Sequence, residues 1–285
     1  MQSAPDPAEF KAAQREMWSS VAPGWKKWWR VFESGAQPLN ERLVELARVA
    51  KGSNVLDVAT GIGEPALTAA RRAGPEGRVL GVDLAPRMLA LARERAREAR
   101  LSNVEFREMD AEKLALEPAS FDAAVSRWCL MLLMDPLAAL HGIRRALKPG
   151  ARAAFAVWGV AERVPFIAIP MQVARRELGI DAPHPGTPGP LALGKPGDLE
   201  ALLERAGFAD LELEIVRVTM DFASPAEHRE FLADQSSSLK KALAEHGEEA
   251  RERTWRAIER ETRASARADG SLCFVNEVRC VAGRA

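Results

Sequence analysis

Between residues 54 and 158 the chain alternates short apolar runs with amphipathic stretches, and few folds accept that order. Apolar runs at 54–58, 78–82, 103–108, 121–126 and 151–158 have the length of buried strands. Helical spacing separates them at 64–73, 86–99 and 137–147, with Pro75-Glu76-Gly77 and Lys148-Pro149-Gly150 as turns. Strands joined by helices require right-handed crossovers and a parallel sheet covered on both faces. The expectation is an α/β, doubly wound sheet.

The rest of the chain is less regular. Residues 8–18 read as one amphipathic helix, Pro23 and Gly24 as punctuation, and 40–49 as a second helix. Beyond residue 158, 166–178 predicts a helix, 181–190 a Pro/Gly-rich loop, and 199–206 a helix ending at Gly207. A long strand is expected at 211–222, charged helices over 225–268, and a last strand at 272–281. No internal repeat is visible.

Lys and Arg together number 40, as do Asp and Glu, so the net charge is zero. That argues against a sequence-independent nucleic-acid binder, whose affinity comes from many phosphate contacts. Three cysteines without a CxxC pair suit a reduced, cytoplasmic protein. The first nine residues lack the basic and apolar pattern of a secretory leader, and no run approaches a membrane span. The chain has no tyrosine, which excludes any mechanism needing its own phenol.

The chemistry is concentrated in Val55-Leu56-Asp57-Val58-Ala59-Thr60-Gly61-Ile62-Gly63-Glu64-Pro65. A buried strand runs into a glycine-bearing turn and then a helix, whose first N–H groups are free to face a ligand. Dinucleotide sites share this outline, but the third glycine of GxGxxG is replaced by Ala66. Asp57 and Glu64 would also oppose a pyrophosphate. A ligand carrying an amine and a sulfonium would tolerate them. Asp83 closes the second strand 20 residues after Gly63, the separation at which a carboxylate grips two ribose hydroxyls. Asp110, with Ala111 beside it, follows the third strand, where a carboxylate can accept from an adenine amino group. Ser126 and Trp128 end the fourth strand.

From Val55 to Trp158 these residues resemble the class I S-adenosylmethionine-dependent methyltransferases, in particular the small-molecule ubiquinone/menaquinone-biosynthesis group. The resemblance implies a mostly parallel seven-stranded sheet, order 3-2-1-4-5-7-6, last strand antiparallel, with helical cap elements. It implies S-adenosylmethionine as cofactor. Gly61 and Gly63 match the segment cradling its methionine part, with Ala59 in place of a frequent first glycine. Asp57, Asp83, Leu84, Met88, Asp110, Ala111, Ser126 and Trp128 complete the expected cofactor set. The implied layout is a helical cap over 1–50, a cofactor-binding half over 51–160 and the remaining core over 161–285, with lid segments at 161–197 and 224–268.

Expectations for the acceptor are sparser. Trp25, Trp29, Phe166, Met171, Phe222 and Phe231 are the apolar candidates for a substrate pocket. His184 and His228 are weak candidates for a base, which methyl transfer needs only when the acceptor must lose a proton. No metal is expected, because no His/Cys cluster has ligand spacing. The expected partner is a small molecule, with no nucleic acid and no membrane span, for a monomer or homodimer. The competing readings are a nicotinamide-dependent oxidoreductase and a catalytically degenerate cofactor-binding protein. An RNA methyltransferase would need a basic face that is not evident.

Overall fold

The five apolar runs form parallel strands whose backbone groups pair with neighbouring strands; the central ones are buried on both faces, while the third lies at the exposed edge. In the computed structural model, which describes residues 6–184 and 186–285, a long helix α1 (Pro7–Leu46) comes first. Then follow β1 (Asn54–Val58), α2 (Ala66–Ala73), β2 (Arg78–Asp83), α3 (Pro86–Glu98), β3 (Val104–Glu108), β4 (Phe121–Arg127), α4 (Pro136–Ala146) and β5 (Leu147–Trp158). The chain ends with α5 (Pro165–Leu178), α6 (Asp198–Arg205), β6 (Ala209–Phe222), α7 (Pro225–Gln235), α8 (Ser237–Ala244), α9 (Glu248–Thr262) and β7 (Leu272–Arg284). Residues 1–5, part of the stretch read as lacking a leader, and Pro185 of the 181–190 loop lie outside the described residues.

The sheet order is β3-β2-β1-β4-β5-β7-β6, the arrangement the resemblance implied. Strands β1 to β5 are parallel. β7 runs antiparallel to both β5 and β6. Leu56, Val58, Ala124, Ala154 and Phe155 form the fully buried centre of the sheet. Trp158, the last residue of β5, pairs with Val278, yet β7 begins at Leu272 opposite Phe222. The β6–β7 pair therefore overhangs the carboxyl edge of the parallel strands by about 20 Å at ~3.4 Å per residue. It carries α7, α8 and α9 over that edge.

One expectation fails at the N-terminus. Residues 8–18 and 40–49 are not separate helices; α1 runs through Pro23 and Pro38 without a break. A proline inside a helix removes one backbone bond. Here a continuous buried stripe of Val21, Ala22, Trp28, Phe32, Ala36, Leu39 and Leu43 outweighs that loss. Two glycines let the helix approach its neighbours closely. A Cβ at Gly35 would overlap the Thr219 carbonyl on β6, and one at Gly24 would crowd the Asp234 carbonyl at 2.7 Å. The second half of α1 is part of the main core, since Leu39 and Leu43 are wholly buried.

Candidate functional site

The parallel register brings the ends of β1, β2, β3 and β4 to one edge, where such sheets bind ligands. The turn after β1 is unusual in its backbone. Ala59, Gly61 and Gly63 have φ of 60°, 54° and 106°. Nothing stands within 4 Å of the place a Gly61 side chain would occupy, so the main chain there is open to close approach. Asp83 braces the turn from β2: Oδ2 accepts from the Gly61 amide at 2.8 Å and Oδ1 from the Ala85 amide at 2.8 Å. Burial pushes the Asp83 carboxyl up, and the amides of Ala85, Gly61 and Leu84 counter part of that rise.

Asp57 is wholly buried. Its Oδ2 accepts from the Ala66 amide at 2.9 Å at the start of α2, and the Thr60 hydroxyl lies against the same carboxyl; among the described residues Asp57 Oδ1 and Thr60 Oγ1 have no partner beyond each other. Burial holds the Asp57 carboxyl up at about 7. Glu64 accepts from the Thr68 amide and hydroxyl at 3.1 and 2.7 Å, and lies 3.5 Å from Arg95 of α3. Burial and the nearby Glu33 push its carboxyl up as well.

Sequence reasoning missed the group beside these. Arg127, at the end of β4, meets Glu33 of α1 with Nη2 to Oε1 at 2.7 Å and Nη1 to Oε2 at 3.0 Å. Its Nη1 also reaches Asn40 Oδ1 at 2.8 Å, and Asn40 in turn donates to Glu33 at 2.9 Å. Both charged side chains are under a tenth exposed. Burial pushes Glu33 up, but Arg127 outweighs it and holds the carboxyl below its ordinary range. The two residues are 94 positions apart in sequence, and no local pattern announces such a pair.

Trp128 follows with φ of 57°, an uncommon state for a bulky residue. Its ring stacks on Trp158 at 4.2 Å and meets Phe32 edge-on at 5.4 Å; Phe32 meets Trp25 at 4.9 Å. The indole N–H groups of Trp25 and Trp128 are buried without partners among the described residues. Four aromatic residues from α1, β4 and β5 thus gather at the same carboxyl edge.

Other candidates stand elsewhere or are engaged. Trp29 packs beside the turn, in the cluster that holds Ile62, Ala85 and Met88, and its ring lies between the guanidiniums of Arg30 and Arg95, at 4.5 and 4.4 Å. A cleft of about 110 Å³ between these two helices is lined by Trp25, Trp29, Ile62, Leu91 and Arg95. Met88 is buried with Val21, Ala22, Ile62 and Ala85 beneath α1, while Leu84 is half-buried. The Ser126 hydroxyl donates to the Val58 carbonyl at 2.8 Å and ties β4 to the turn. Asp110 caps the turn at Glu112 and pairs with Lys11 at 2.7 Å; Ala111 beside it is half-buried.

Phe166, Phe222 and Phe231 do come together, around His228 and with Phe274, but as a packed cluster with ring separations of 4.8 to 6.3 Å. His228 is 1% exposed, its Nε2 has no partner among the described residues, and burial holds its imidazole down at about 4. Met171 is half-buried on α5 and stands outside that core cluster. His184 is exposed in the loop before α6, which leaves it without the surroundings of a buried base. Among the described residues no group of three His, Cys, Asp or Glu could hold a metal ion.

Residues 55–150 match the family model described as a methyltransferase domain. The chain is 39% identical over 111 residues to a demethylmenaquinone methyltransferase of Listeria welshimeri, a match covering 39% of this chain and 47% of that protein. It is 36% identical over 118 residues to an aklanonic acid methyltransferase of a Streptomyces species (strain C5), covering 41% and 54%. The chain thus spans about half the length of these relatives. In structure it resembles phosphoethanolamine N-methyltransferase 2 of Haemonchus contortus, with a TM-score of 0.58 and 22% identity, covering 99% of this chain and 61% of that one. That likeness concerns the fold.

Proposed function

Taking residues 55–150 as the methyltransferase domain that they form, we propose that the chain transfers a methyl group from S-adenosylmethionine to a C, O or N atom of a small, partly apolar molecule. The observation that carries this is a wholly buried carboxyl, Asp57, held by the Ala66 amide and the Thr60 hydroxyl, beside a left-handed turn on the same strand edge as Asp83. A buried carboxylate without a cation is costly, and a ligand that brings one relieves that cost. Carboxylates here suit a ligand with hydroxyls and an ammonium; a pyrophosphate would meet Glu33, Asp57 and Glu64 together. This disfavours the nicotinamide reading.

In this proposal Asp83 accepts from the ribose hydroxyls, and Ala59, Gly61 and Gly63 lie under the amino-acid tail. Leu84, Met88, Asp110 and Ala111 lie on the adenine side, where Lys11 must share or release Asp110. When bound, the cofactor supplies a methyl already activated by a positive sulfur, so positioning and water exclusion provide much of the rate. The aromatic group of Trp25, Phe32, Trp128 and Trp158 supplies both at the carboxyl edge. The relatives' names, demethylmenaquinone and aklanonic acid methyltransferase, favour an acceptor that is oxygen-bearing.

The layout proposed is α1 as a cap, 51–160 as the cofactor half and 161–285 as the remainder, with lids at 161–197 and 224–268. Among the described residues no helix is long and apolar enough to cross a membrane. The setting we propose is a cytoplasmic monomer or homodimer acting without nucleic acid.

The test is methyl-labelled S-adenosylmethionine with a panel of acceptors: naphthoquinols, aromatic carboxylic acids, simple amines and arsenite. Label transfer to a quinol or a carboxylic acid is expected. Transfer to none of them, by a protein that binds the cofactor, would leave the degenerate reading standing.

A further inference from the structure

The buried charges around the turn do not balance. Glu33 from α1, Asp57 from β1 and Glu64 from the turn face Arg95 from α3 and Arg127 from β4, and all five are at most a tenth exposed. Arg71 of α2 reaches Glu64 only from the rim, at 3.7 Å with half its side chain in solvent. Asp83 of β2 adds a further carboxylate on the other flank. An isolated buried ion is costly, so such a set either holds a proton or awaits a cation.

Which carboxylate lacks its cation is decided by α1. Both terminal nitrogens of Arg127 are directed to Glu33 and Asn40. Arg95 donates to the Ile62 carbonyl at 2.8 Å and lies 3.5 Å from Glu64. Asp57 is left with the Ala66 amide and the Thr60 hydroxyl, and no arginine among the described residues hydrogen-bonds it.

We propose that Glu33 is a positioning residue for the cofactor: by holding Arg127 away from Asp57, it keeps that carboxyl for the ammonium of the bound amino-acid tail. The proposal rests on the methyltransferase reading above. Asp57 holds a proton while the place beside it is without a cation. When the ammonium arrives, the proton leaves to the buffer, and the carboxylate and ammonium form the missing pair. The elevated Asp57 carboxyl agrees with this. Without Glu33, Arg127 is free to turn to Asp57, which then ionises before any ligand binds and loses its preference for an ammonium.

The experiment is calorimetric titration of S-adenosylhomocysteine into the full chain near pH 7, in two buffers of different ionisation enthalpy. The wild type is expected to release a sizeable fraction of a proton per site, falling towards zero at pH 9. Glu33→Gln should weaken binding at least tenfold and abolish proton release. Glu33→Asp should restore part of both, and Asp57→Asn should release none. Methylthioadenosine, which has no ammonium, should show neither proton release nor dependence on residue 33. A purely structural Glu33 would lower the melting temperature but leave the proton count intact. Binding by the wild type without proton release, or an unchanged count in Glu33→Gln, overturns the proposal alone. If Glu33→Gln does not fold, the Glu33→Asp and Asp57→Asn counts decide it. A wild type that binds neither nucleoside sinks the methyltransferase reading as well.

Discussion

The strand-end edge and the aromatic cluster beneath α7 are both buried, yet they are built on opposite principles. At the edge, among the described residues, two indole N–H groups go unpaired and Asp57 has the Thr60 hydroxyl and one amide but no cation, around a left-handed turn. In the cluster, Phe166, Phe222, Phe231 and Phe274 close on one another around His228, whose imidazole is held neutral by burial and whose Nε2 has no partner among the described residues. Unpaired polar atoms cost stability and suit a ligand, whereas packed rings contribute stability and leave no vacancy. The difference teaches that the strand-end edge keeps polar groups and open main chain at its surface, while the rings beneath α7 are closed packing.

Truncation tests this most strongly. Phe222→Ala should cost about 3–5 kcal/mol of stability by opening a cavity, read by chemical denaturation, yet leave S-adenosylhomocysteine affinity within about twofold. A matching loss of affinity would break the comparison.

The next effect is acid sensitivity. His228 titrates at about 4 in the folded chain against an ordinary 6.5. As pH falls from about 6.5 to 4 the unfolded chain takes up the proton first, so stability falls across that window. The loss is of the order of 3 kcal/mol. It should be absent in His228→Leu. An unchanged pH profile in that variant would mean the imidazole is not buried as the cluster implies.

Smaller effects belong to the cap. Lys11→Ala removes a partly exposed pair with Asp110 and Glu112, and should cost less than about 1 kcal/mol. Because it frees Asp110, cofactor binding should hold or tighten; weakened binding would show Lys11 to be part of the site. Smallest is Ala59→Gly. It relieves a left-handed alanine at φ 60°, and should raise stability by up to about 1 kcal/mol after the entropy of glycine is counted. A lower melting temperature would argue against that turn geometry.

Sequence legibility follows the same divide. The turn, Asp57 and Asp83 were readable because strand, glycine and acid lie within 30 residues of one another and their spacing carries the geometry. The order of the sheet came with the resemblance. The Glu33–Arg127 pair was not readable, since only the path of α1 across the edge brings the two together. That path was itself obscured by Pro23 and Pro38, whose local penalty is outweighed by the buried stripe of the helix. Trp29 was placed in a pocket because tryptophan suits one. Its guanidinium neighbours come from the α1–α3 packing, which periodicity does not reveal. Phe166, Phe222 and Phe231 were expected in a pocket with Met171; they stand together without it, and composition could not say that they pack shut around His228.

The central claim is that the strand-end edge takes the nucleoside and amino-acid tail of S-adenosylmethionine, gripped by Asp83. Its most direct measurement is a titration of the wild type and Asp83→Ala with S-adenosylhomocysteine, alongside NADH. The account predicts micromolar binding of S-adenosylhomocysteine to the wild type, no binding of NADH, and a loss of at least about tenfold in the variant, since a charged hydrogen bond contributes roughly 1.5–3 kcal/mol. Equal affinity in both proteins, or a preference for NADH, would contradict it.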